Sequence, residues 1–320
     1  LTGDDSLSQR PMERVAMPLR KMGAIINMEN NQAPIFIQPA KEILGIEHAL
    51  DIASAQVKSA ILLAALHANS KNVIVSESVT RNHTELMLQY FGYPIQFNDQ
   101  KIVLNTGKLR SIEKLEIPCD FSSAAFLILA TILAKNSHIV LKNIGLNPTR
   151  TGFLKILEMM GADIKITIDQ NQFEPYGTIE IKSSQLHGIN VPKYLIPLSI
   201  DELPLVFLAA ACAKGKTTVR NADELRLKES DRIKSMKITL TKFSINVVEH
   251  NDGLTIEGGT ITGGEIDSFG DHRIAMTALI ASVCSADEIV VKNTKNIDTS
   301  FPNFVEIMNS AGLNIQSLDN

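Results

Sequence analysis

Polar residues interrupt the chain at the start of four apolar, alanine-rich segments, where they could bind an anion. The four interruptions are residues 54–58, 120–123, 201–202 and 271–273. A helix N-terminus presents free backbone N–H groups and a partial positive charge, so it favours negatively charged groups. Helix capping is the alternative interpretation for Ser54, Asp120 and Ser122. Capping would explain one of the carboxylates Asp201 and Glu202 but not both, so this pair indicates a functional role.

Asp271, His272 and Arg273 form the most informative of these interruptions. A cation in the first turn of a helix opposes the helix dipole, which costs about 0.3–1 kcal/mol when the cation is exposed. The residues that follow, from Ile274 onward, are apolar, so Arg273 emerges from a segment that should be buried. The pattern favours an anionic ligand at Arg273, with a surface salt bridge as the alternative.

The densest group of charges lies in residues 224–232, with Arg220 just upstream. Lys228 and Arg232 are four residues apart, and like charges at this spacing repel each other on an isolated helix face. A shared anionic ligand would relieve that repulsion, whereas a solvated helix face is the alternative interpretation.

Arg10 and Arg81 stand at comparable positions, each between a strand and the helix that follows it. The guanidinium group of Arg matches carboxylate and phosphate with a fork of donors. Five cations therefore occupy equivalent ends of the chain's repeats, and they predict a small ligand with several negative charges. The five are Arg10, Arg81, Lys228, Arg232 and Arg273.

Several kinds of chemistry lack their sequence motifs. The chain has no GxxxxGK[ST], no GxGxxG after a strand and no GxSxG. Its seven histidines show neither HxxxH nor HExxH spacing, and its three cysteines form no CxxC pair. With no nucleotide loop, metal motif or activated nucleophile, the remaining prediction is acid–base catalysis within an anion-binding cleft.

Composition excludes other functions. The formal net charge is −4, which argues against a surface that coats nucleic acid. Trp is absent and aromatic residues make up 5%, so base-stacking platforms are not expected. No window holds about 18 uninterrupted apolar residues, which predicts no transmembrane helix. An odd number of cysteines predicts a reducing compartment, and we expect a cytoplasmic monomer.

Internal repeats indicate how the chain positions its charged residues. Apolar helices are predicted over 59–67, 122–134, 202–213 and 272–283, each followed by a β-branched strand. A second, amphipathic helix ends each unit at a turn, and these turns recur about every 70 to 80 residues. The five turns contain Gly23, Gly92, Gly161, Ser244 and Gly312. Gly at four of them fits a left-handed helix cap.

Helices that are apolar all round are typical of buried helices, so buried helices should lie inside a ring of sheets and surface helices. The count gives four first helices but five second helices, and the chain opens at Leu1 without Met. We therefore expect about four and a half α/β units, with the missing half before Leu1. The predicted domains are residues 1–118, with one and a half units, and 119–320, with three.

The chain resembles the 5-enolpyruvylshikimate-3-phosphate synthase family along its whole length. The segments on which the resemblance rests are LTGDDSLSQRPM (1–12), ASAQVKS (53–59), TRNHTE (80–85), NPTRTG (147–152), ELRLKESDR (224–232) and DHRIAM (271–276). Ala55 places the pattern nearer the class II branch. The resemblance implies an inside-out α/β barrel of βαβαββ units in two domains, the first incomplete here. It also implies glyphosate as an inhibitor of the family.

The resemblance also implies site residues and a reaction, in which the enolpyruvyl group of phosphoenolpyruvate moves to the 5-hydroxyl of shikimate-3-phosphate. Asp201 is implied to take the proton from that hydroxyl, and Glu229 to protonate the methylene carbon, with His272 supporting. The implied ligands of phosphoenolpyruvate are Arg10, Gln56, Arg232 and Arg273. Those of shikimate-3-phosphate are Ser54, Gln56, Arg81, Asp201 and Lys228. No metal or organic cofactor is implied. Thr299 stands where relatives often carry Lys.

Two alternatives stay open. A UDP-N-acetylglucosamine enolpyruvyl transferase would share the fold, although the segments 228–232 and 271–273 favour the shikimate enzyme. The chain could also be an anion-binding fragment, and we expect it to show little or no turnover because half of a domain should be missing. A rate of about 1 s⁻¹ or more would contradict that expectation.

Overall fold

Helices and strands alternate along the chain in the computed structural model, which describes residues 1–3, 5–50, 54–75, 79–98, 100–171 and 173–318. The helices α1 to α11 are Asp5–Ser8, Glu13–Lys21, Ala55–Ala65, His83–Tyr90, Phe121–Leu133, Gly152–Met159, Leu203–Cys212, Arg232–Lys242, His272–Ile280, Ile297–Ser300 and Phe304–Ser310. Short 3₁₀ helices are Lys193–Leu195, Asp223–Leu227 and Ala281–Val283.

The strands of the described residues form five small sheets. The strands β1 to β14 are Ile25–Glu29, Gln32–Gln38, Glu47–Ala49, Asn72–Val75, Ile95–Phe97, Lys101–Leu104, His138–Gly145, Asp163–Asn171, Pro175–Lys182, Lys216–Val219, Asn246–His250, Gly253–Glu257, Gly264–Asp267 and Ile289–Lys292. The sheet orders are β1-β2, β3-β4-β6-β5, β7-β9-β8, β10-β12-β11 and β13-β14.

One connection pattern recurs in these sheets and accounts for the repeats. In the four-stranded sheet β3 runs parallel to β4, and the hairpin β5-β6 continues the sheet in antiparallel order. The strands β7-β9-β8 and β10-β12-β11 repeat that order, with parallel bridges Cys119–Ile144 and Asn190–Thr218 in place of the first strand. Strands β13 and β14 are again a parallel pair. A strand–helix–strand–helix–hairpin unit is therefore the building block, as the sequence predicted.

The chain divides into two compact units. Unit 1 contains Leu1–Ile117 and Gln172–Glu174, and unit 2 contains Pro118–Asn171 and Pro175–Asn320. Each unit has its own apolar core. In unit 1, α3 packs against α2 and α4, and its buried face includes Ile61 and Leu62.

Three helices fill the interior of unit 2. The helices α5, α7 and α9 pack against one another, and every residue from Leu203 to Ala211 is buried. Burial of a Leu, Val or Phe side chain stabilises the fold by about 1.5–3 kcal/mol. The outer helix α8 is amphipathic: Ile233 and Met236 are buried, whereas Lys234 is exposed. The prediction of buried first helices and amphipathic second helices is therefore confirmed in unit 2. In unit 1 the first helix, α3, is buried on one face only, because Leu63 is 54% exposed.

The five turns after the second helices share a left-handed residue. The φ angles are +98° at Gly23, +72° at Gly92, +96° at Gly161 and +104° at Gly312, and Ser244 has +63°. The left-handed conformation strains a residue with a Cβ, and a Cβ at Gly161 would also lie 3.0 Å from the ring of His187. The sequence prediction of these caps is therefore confirmed.

No helix in the described ranges combines the length and the apolar character that crossing a membrane requires.

Candidate active site

The N-terminal ends of α5, α7 and α9 meet in unit 2, and each contributes a side chain to one hydrogen-bonded cluster. Ser122 Oγ donates to Glu202 Oε1 at 2.5 Å, and Arg273 Nη2 donates to Ser122 Oγ at 3.0 Å. Arg273 Nη1 also donates to the backbone oxygen of Asp201 at 2.8 Å. Because the three helices start at the same place, residues about 80 and 150 positions apart in the sequence share a cluster.

Arg150 completes this cluster, although the sequence pattern gave it no role. It precedes α6, and its Nη2 donates to Ser122 Oγ at 2.5 Å. Its Nη1 lies 3.4 Å from Glu202 Oε1 and 3.8 Å from Asp201 Oδ2. A sequence signal existed, since Arg150 stands just before a second helix, as Arg10 and Arg81 do.

Glu202 is the buried anion at the centre of the cluster. Its side chain is 1% exposed, and Oε1 faces both Arg150 and Arg273. Among the described residues its other oxygen, Oε2, has no hydrogen-bond partner. A buried carboxylate is tolerated when cations and hydrogen bonds compensate it, so Glu202 holds the two guanidinium groups in place.

Three cations of the described residues lie within ion-pair distance of the carboxylate of Asp201, which lies just before α7. Lys228 Nζ and Arg232 Nη1 lie 3.7 Å and 3.8 Å from Oδ1, and Arg150 Nη1 lies 3.8 Å from Oδ2. These separations exceed hydrogen-bond length, so the three contacts are ion pairs and not hydrogen bonds.

Lys228 and Arg232 are not neighbours on one helix face, so the helix clash predicted from their spacing is wrong. Lys228 follows the 3₁₀ helix in an extended conformation, whereas Arg232 is the first residue of α8. Lys228 instead pairs with the exposed Glu224 at 2.5 Å. Their shared neighbour in this structure is the carboxylate of Asp201.

Arg232 is anchored by a buried carboxylate. Its Nε and Nη2 donate to Asp271 Oδ2 and Oδ1 at 2.8 Å and 3.2 Å, and neither side chain is more than 3% exposed. Burial alone would raise the pKa of Asp271, but the charge and hydrogen bonds of Arg232 outweigh it and lower that pKa. Asp271 also caps α9 by accepting from the backbone N–H of Arg273 at 2.9 Å. Both arginines are thereby tied to one aspartate.

Glu229 and His272 form a hydrogen-bonded pair beside this anchor, with Nδ1 2.7 Å from Oε2. Burial would raise the pKa of Glu229, but the hydrogen bond and charge of His272 lower it below its usual value, and Arg232 at 3.5 Å adds to the effect. Donor atoms of Glu229, Asp271 and His272 lie within 4.8 Å of one another. A metal would have to displace both His272 from Glu229 and Arg232 from Asp271, so the residues favour a proton-carrying pair over a metal site.

Unit 1 holds the other predicted residues. Ser54 caps α3 by accepting from the backbone N–H of Val57 at 3.4 Å, so the capping interpretation is confirmed for it. Gln56 and Arg81 line an open cleft of about 440 Å³ together with His83 and Thr84. The neighbouring Lys58 is buried against Glu85 at 2.5 Å.

Two further positions have simple local surroundings. Arg10 lies between α1 and α2, so the prediction that it follows a strand is wrong. Its backbone N–H donates to the oxygen of Leu7. Thr299 Oγ1 donates to the backbone oxygen of Asn296 at 2.7 Å, inside α10. A Thr side chain cannot replace the reach of the Lys that the family often carries there.

The structure therefore groups the predicted site residues into two sets. Unit 2 brings together Asp201, Lys228, Glu229, Arg232, His272 and Arg273. In unit 1, Ser54 and Gln56 lie at the start of α3, beside Arg81, and Arg10 lies before α2. The sequence analysis did not predict that Ser122, Arg150 and Glu202 contact one another.

Comparison with known proteins gives a consistent result. A family model described as EPSP synthase (3-phosphoshikimate 1-carboxyvinyltransferase) matches residues 1–308. The 3-phosphoshikimate 1-carboxyvinyltransferase of Legionella pneumophila (strain Corby) is 47% identical over 311 residues, which are 97% of this chain and 72% of the relative. That of Coxiella burnetii is 43% identical over 320 residues, which are 99% of this chain and 73% of the relative.

Solved structures show the same fold. An EPSP synthase from Acinetobacter baumannii matches 98% of this chain and 74% of its own, with 44% identity and a TM-score of 0.89. The enolpyruvyl transferase NikO from Streptomyces tendae matches 97% of this chain with a TM-score of 0.75 at 14% identity, a likeness of fold alone.

Proposed function

This chain belongs to the EPSP synthase family of 1-carboxyvinyltransferases, and we propose that its polar cluster in unit 2 transfers the enolpyruvyl group of phosphoenolpyruvate to the 5-hydroxyl of shikimate-3-phosphate. The single observation that carries the proposal is the convergence of Lys228, Arg232 and Arg150 on Asp201, beside the Glu229–His272 pair. This arrangement supports the proposal because it brings a carboxylate, a hydrogen-bonded carboxylate–imidazole pair and several cations into one unit.

The cations answer the main physical difficulty of the reaction. Both substrates carry phosphate and carboxylate groups, which repel one another in water. Fixed cations that are already paired inside the protein need little reorganisation to bind such anions, and so they hold the reactants together. We assign phosphoenolpyruvate to Arg10, Gln56, Arg232 and Arg273. We assign shikimate-3-phosphate to Ser54, Gln56, Arg81, Asp201 and Lys228.

Asp201 acts as the base in this proposal. It takes the proton from the 5-hydroxyl as that oxygen attacks C2 of phosphoenolpyruvate. Its carboxylate is 18% exposed and stands at the start of α7, so a substrate hydroxyl can reach it. The surrounding cations stabilise its charged form, which a base requires before the reaction.

Glu229 supplies the proton to C3 of phosphoenolpyruvate in this proposal, and His272 supports it. The hydrogen bond to the imidazole, at 2.7 Å, orients the carboxyl group. Without substrate, His272 and Arg232 lower the pKa of Glu229. The negative charge of an arriving phosphate raises that pKa and favours the protonated form that a proton donor needs. The tetrahedral intermediate then loses phosphate, and the double bond of the enolpyruvyl group is restored.

Phosphate release from the two substrates tests the proposal, with Asp201→Asn compared against Asp169→Asn. Asp169 is an exposed carboxylate of β8, bonded to Thr178, and serves as the matched control. Loss of the base should lower kcat by about 10²- to 10⁴-fold, and the control should not change it. Calorimetry with shikimate-3-phosphate separates loss of binding from loss of chemistry.

Two results would contradict the proposal. Equal turnover of Asp201→Asn and the unaltered chain would remove Asp201 as the base. The proposal expects phosphate release by the unaltered chain, in contrast to the little or no turnover expected from the sequence. Binding of shikimate-3-phosphate without phosphate release would instead support an anion-binding fragment, the alternative derived from the sequence. A cytoplasmic location and a monomeric state stay predictions of the same proposal, and sedimentation measures the second.

A further inference from the structure

Two cysteines of unit 2 lie in contact at the ends of α7 and α9 that are remote from the candidate active site. Cys212 is the last residue of α7, and Cys284 follows the 3₁₀ helix that continues α9. Their Sγ atoms are 3.3 Å apart, although the residues are 72 positions apart in the sequence. The contact is therefore made by the packing of the two helices.

An open groove is lined by both cysteines. Its volume is about 570 Å³, and Cys212 and Cys284 lie on its wall with Lys135, Ser184 and Thr260. Both side chains are partly exposed. A reagent of the size of a tripeptide could enter such a groove, whereas it could not reach a cysteine that is sealed in a core.

The contact also makes the two thiols unequal. The hydrogen bond from Cys212 lowers the pKa of Cys284, whereas the same contact together with burial raises the pKa of Cys212. The thiolate is the reactive form of cysteine, so Cys284 is the nucleophile of the pair and Cys212 is the neighbouring thiol. As a thiol, Cys284 also donates to the backbone oxygen of Ala281 at 3.3 Å.

We propose that Cys212 and Cys284 are a redox-active dithiol that small disulfides convert reversibly to an intramolecular disulfide. In the first step the thiolate of Cys284 attacks one sulfur of the small disulfide, which breaks its S–S bond and releases one small thiol after protonation. In the second step Cys212 loses its proton and attacks the sulfur of Cys284, which releases the second small thiol. Two electrons pass from the protein thiols to the small disulfide, and a small dithiol reverses the exchange.

The geometry lets this bond form with little movement. A disulfide has an S–S length of about 2.05 Å, so the sulfur atoms must approach by only about 1.3 Å from their 3.3 Å contact. The bond would join the C-terminal ends of α7 and α9, whose opposite ends carry Asp201 and Arg273. A bond across 72 residues restricts the unfolded chain, so the oxidised protein should unfold at a higher temperature than the reduced protein.

The test is incubation of the full chain with oxidised glutathione, followed by N-ethylmaleimide, intact mass and peptide mapping. The proposal expects a loss of two hydrogen masses, one alkylated cysteine, and a dithiothreitol-sensitive link between the peptides of Cys212 and Cys284. The Cys119→Ser chain should behave in the same way, with no alkylated cysteine remaining. Oxidation should raise the unfolding midpoint of the unaltered chain.

Single substitutions test the order of the two steps. In Cys212→Ser the glutathione adduct should stay on Cys284, because the second thiol is gone. In Cys284→Ser the adduct at Cys212 should form at least tenfold more slowly. Circular dichroism confirms that both variants are folded. A stable glutathione adduct on the Cys119→Ser chain, alkylation of both Cys212 and Cys284 after oxidation, or faster reaction of Cys284→Ser than of Cys212→Ser would overturn the proposal.

Discussion

His272 Nδ1 lies 2.7 Å from Glu229 Oε2, so the first residue of α9 is bonded to the segment that precedes α8. The pair links two segments that both carry predicted phosphoenolpyruvate ligands, Arg273 beside His272 and Arg232 beyond Glu229. A change at His272 should therefore alter proton transfer more than it alters folding.

The first prediction concerns the pH dependence of this pair. His272 lowers the pKa of Glu229 while burial raises it, so His272→Gln should raise that pKa. Glu229 would then keep its proton to a higher pH, and the basic limb of the kcat/KM profile should move upward. The loss of the imidazole that orients Glu229 should also lower kcat by about 10²-fold. Steady-state phosphate release from pH 5 to 10 measures both.

The matched control is His138→Gln, because His138 forms an exposed pair with Glu180 at 3.1 Å outside the site. This variant should keep the unaltered profile. A basic limb that moves downward in His272→Gln would contradict the assigned role of Glu229.

The second prediction concerns the buried carboxylate of Glu202. Glu202→Gln keeps the shape of the side chain but removes the charge that holds Arg150 and Arg273. Uncompensated buried cations are costly, so the free energy of unfolding should fall by about 3 kcal/mol. KM for phosphoenolpyruvate should rise about tenfold, because Arg273 loses its fixed position, and kcat should change less. Urea unfolding and steady-state kinetics give the two values.

Glu158→Gln is the control for this substitution, since Glu158 pairs with Lys155 on an exposed helix face at 2.8 Å. Surface pairs of this kind contribute about 0–1 kcal/mol. If Glu202→Gln behaved like the control, Glu202 would have no positioning role.

The third prediction concerns acid stability. The pKa of Asp271 is lowered in the folded chain by Arg232, so its contribution to stability is fully present above its unfolded pKa of about 3.9. That contribution is lost as the pH falls through the lower folded value. The unaltered chain should lose stability below about pH 4, and Asp271→Asn should lack this contribution above about pH 4, with a flatter acid limb that approaches the unaltered chain at lower pH.

Unfolding midpoints in urea from pH 2.5 to 7 measure this difference, with Asp169→Asn as the control. An equally steep acid limb in Asp271→Asn and the control would show that the buried pair with Arg232 does not couple stability to pH.

The fourth prediction tests the cleft of unit 1. Arg81→Ala removes the guanidinium group that lines the cleft with Gln56. A hydrogen bond to a charged group contributes about 1.5–3 kcal/mol, so the affinity for shikimate-3-phosphate should fall about 10- to 100-fold in calorimetry. Arg14→Ala, at an exposed position of α2, should bind as the unaltered chain does. Equal affinities of the two variants would remove Arg81 from the site.

Much of the fold could be predicted from the sequence because the same pattern of helices, strands and turns recurs in each repeat. The apolar helix after Glu202 and the turn at Gly161 each reappear at equivalent positions, and local patterns are sufficient to identify them. The charged helix starts at residues 201–202 and 271–273 were informative for the same reason, since capping alone did not account for them.

Partners that meet through packing could not be predicted. Arg150 contacts Ser122 and Glu202 because three helices start at one place, and spacing along the chain does not report that. The predicted clash between Lys228 and Arg232 does not occur, because α8 begins at Arg232 and Lys228 lies outside that helix. The contact of Cys212 with Cys284 likewise depends on the packing of α7 against α9.

The final prediction follows from the one turn that departs from the glycine pattern. Ser244 has a φ of +63°, where the equivalent turns have Gly, and this conformation costs a residue with a Cβ about 1–2 kcal/mol. Ser244→Gly relieves that strain but gives up an exposed hydrogen bond to Thr262 at 3.1 Å and adds freedom to the unfolded chain. The free energy of unfolding should therefore rise by only about 0.5 kcal/mol. The reverse change, Gly161→Ser, should lower it by more, because its Cβ would also lie 3.0 Å from the ring of His187. Urea unfolding of the two variants measures both signs, and a destabilised Ser244→Gly would mean that the hydrogen bond to Thr262 outweighs the strain.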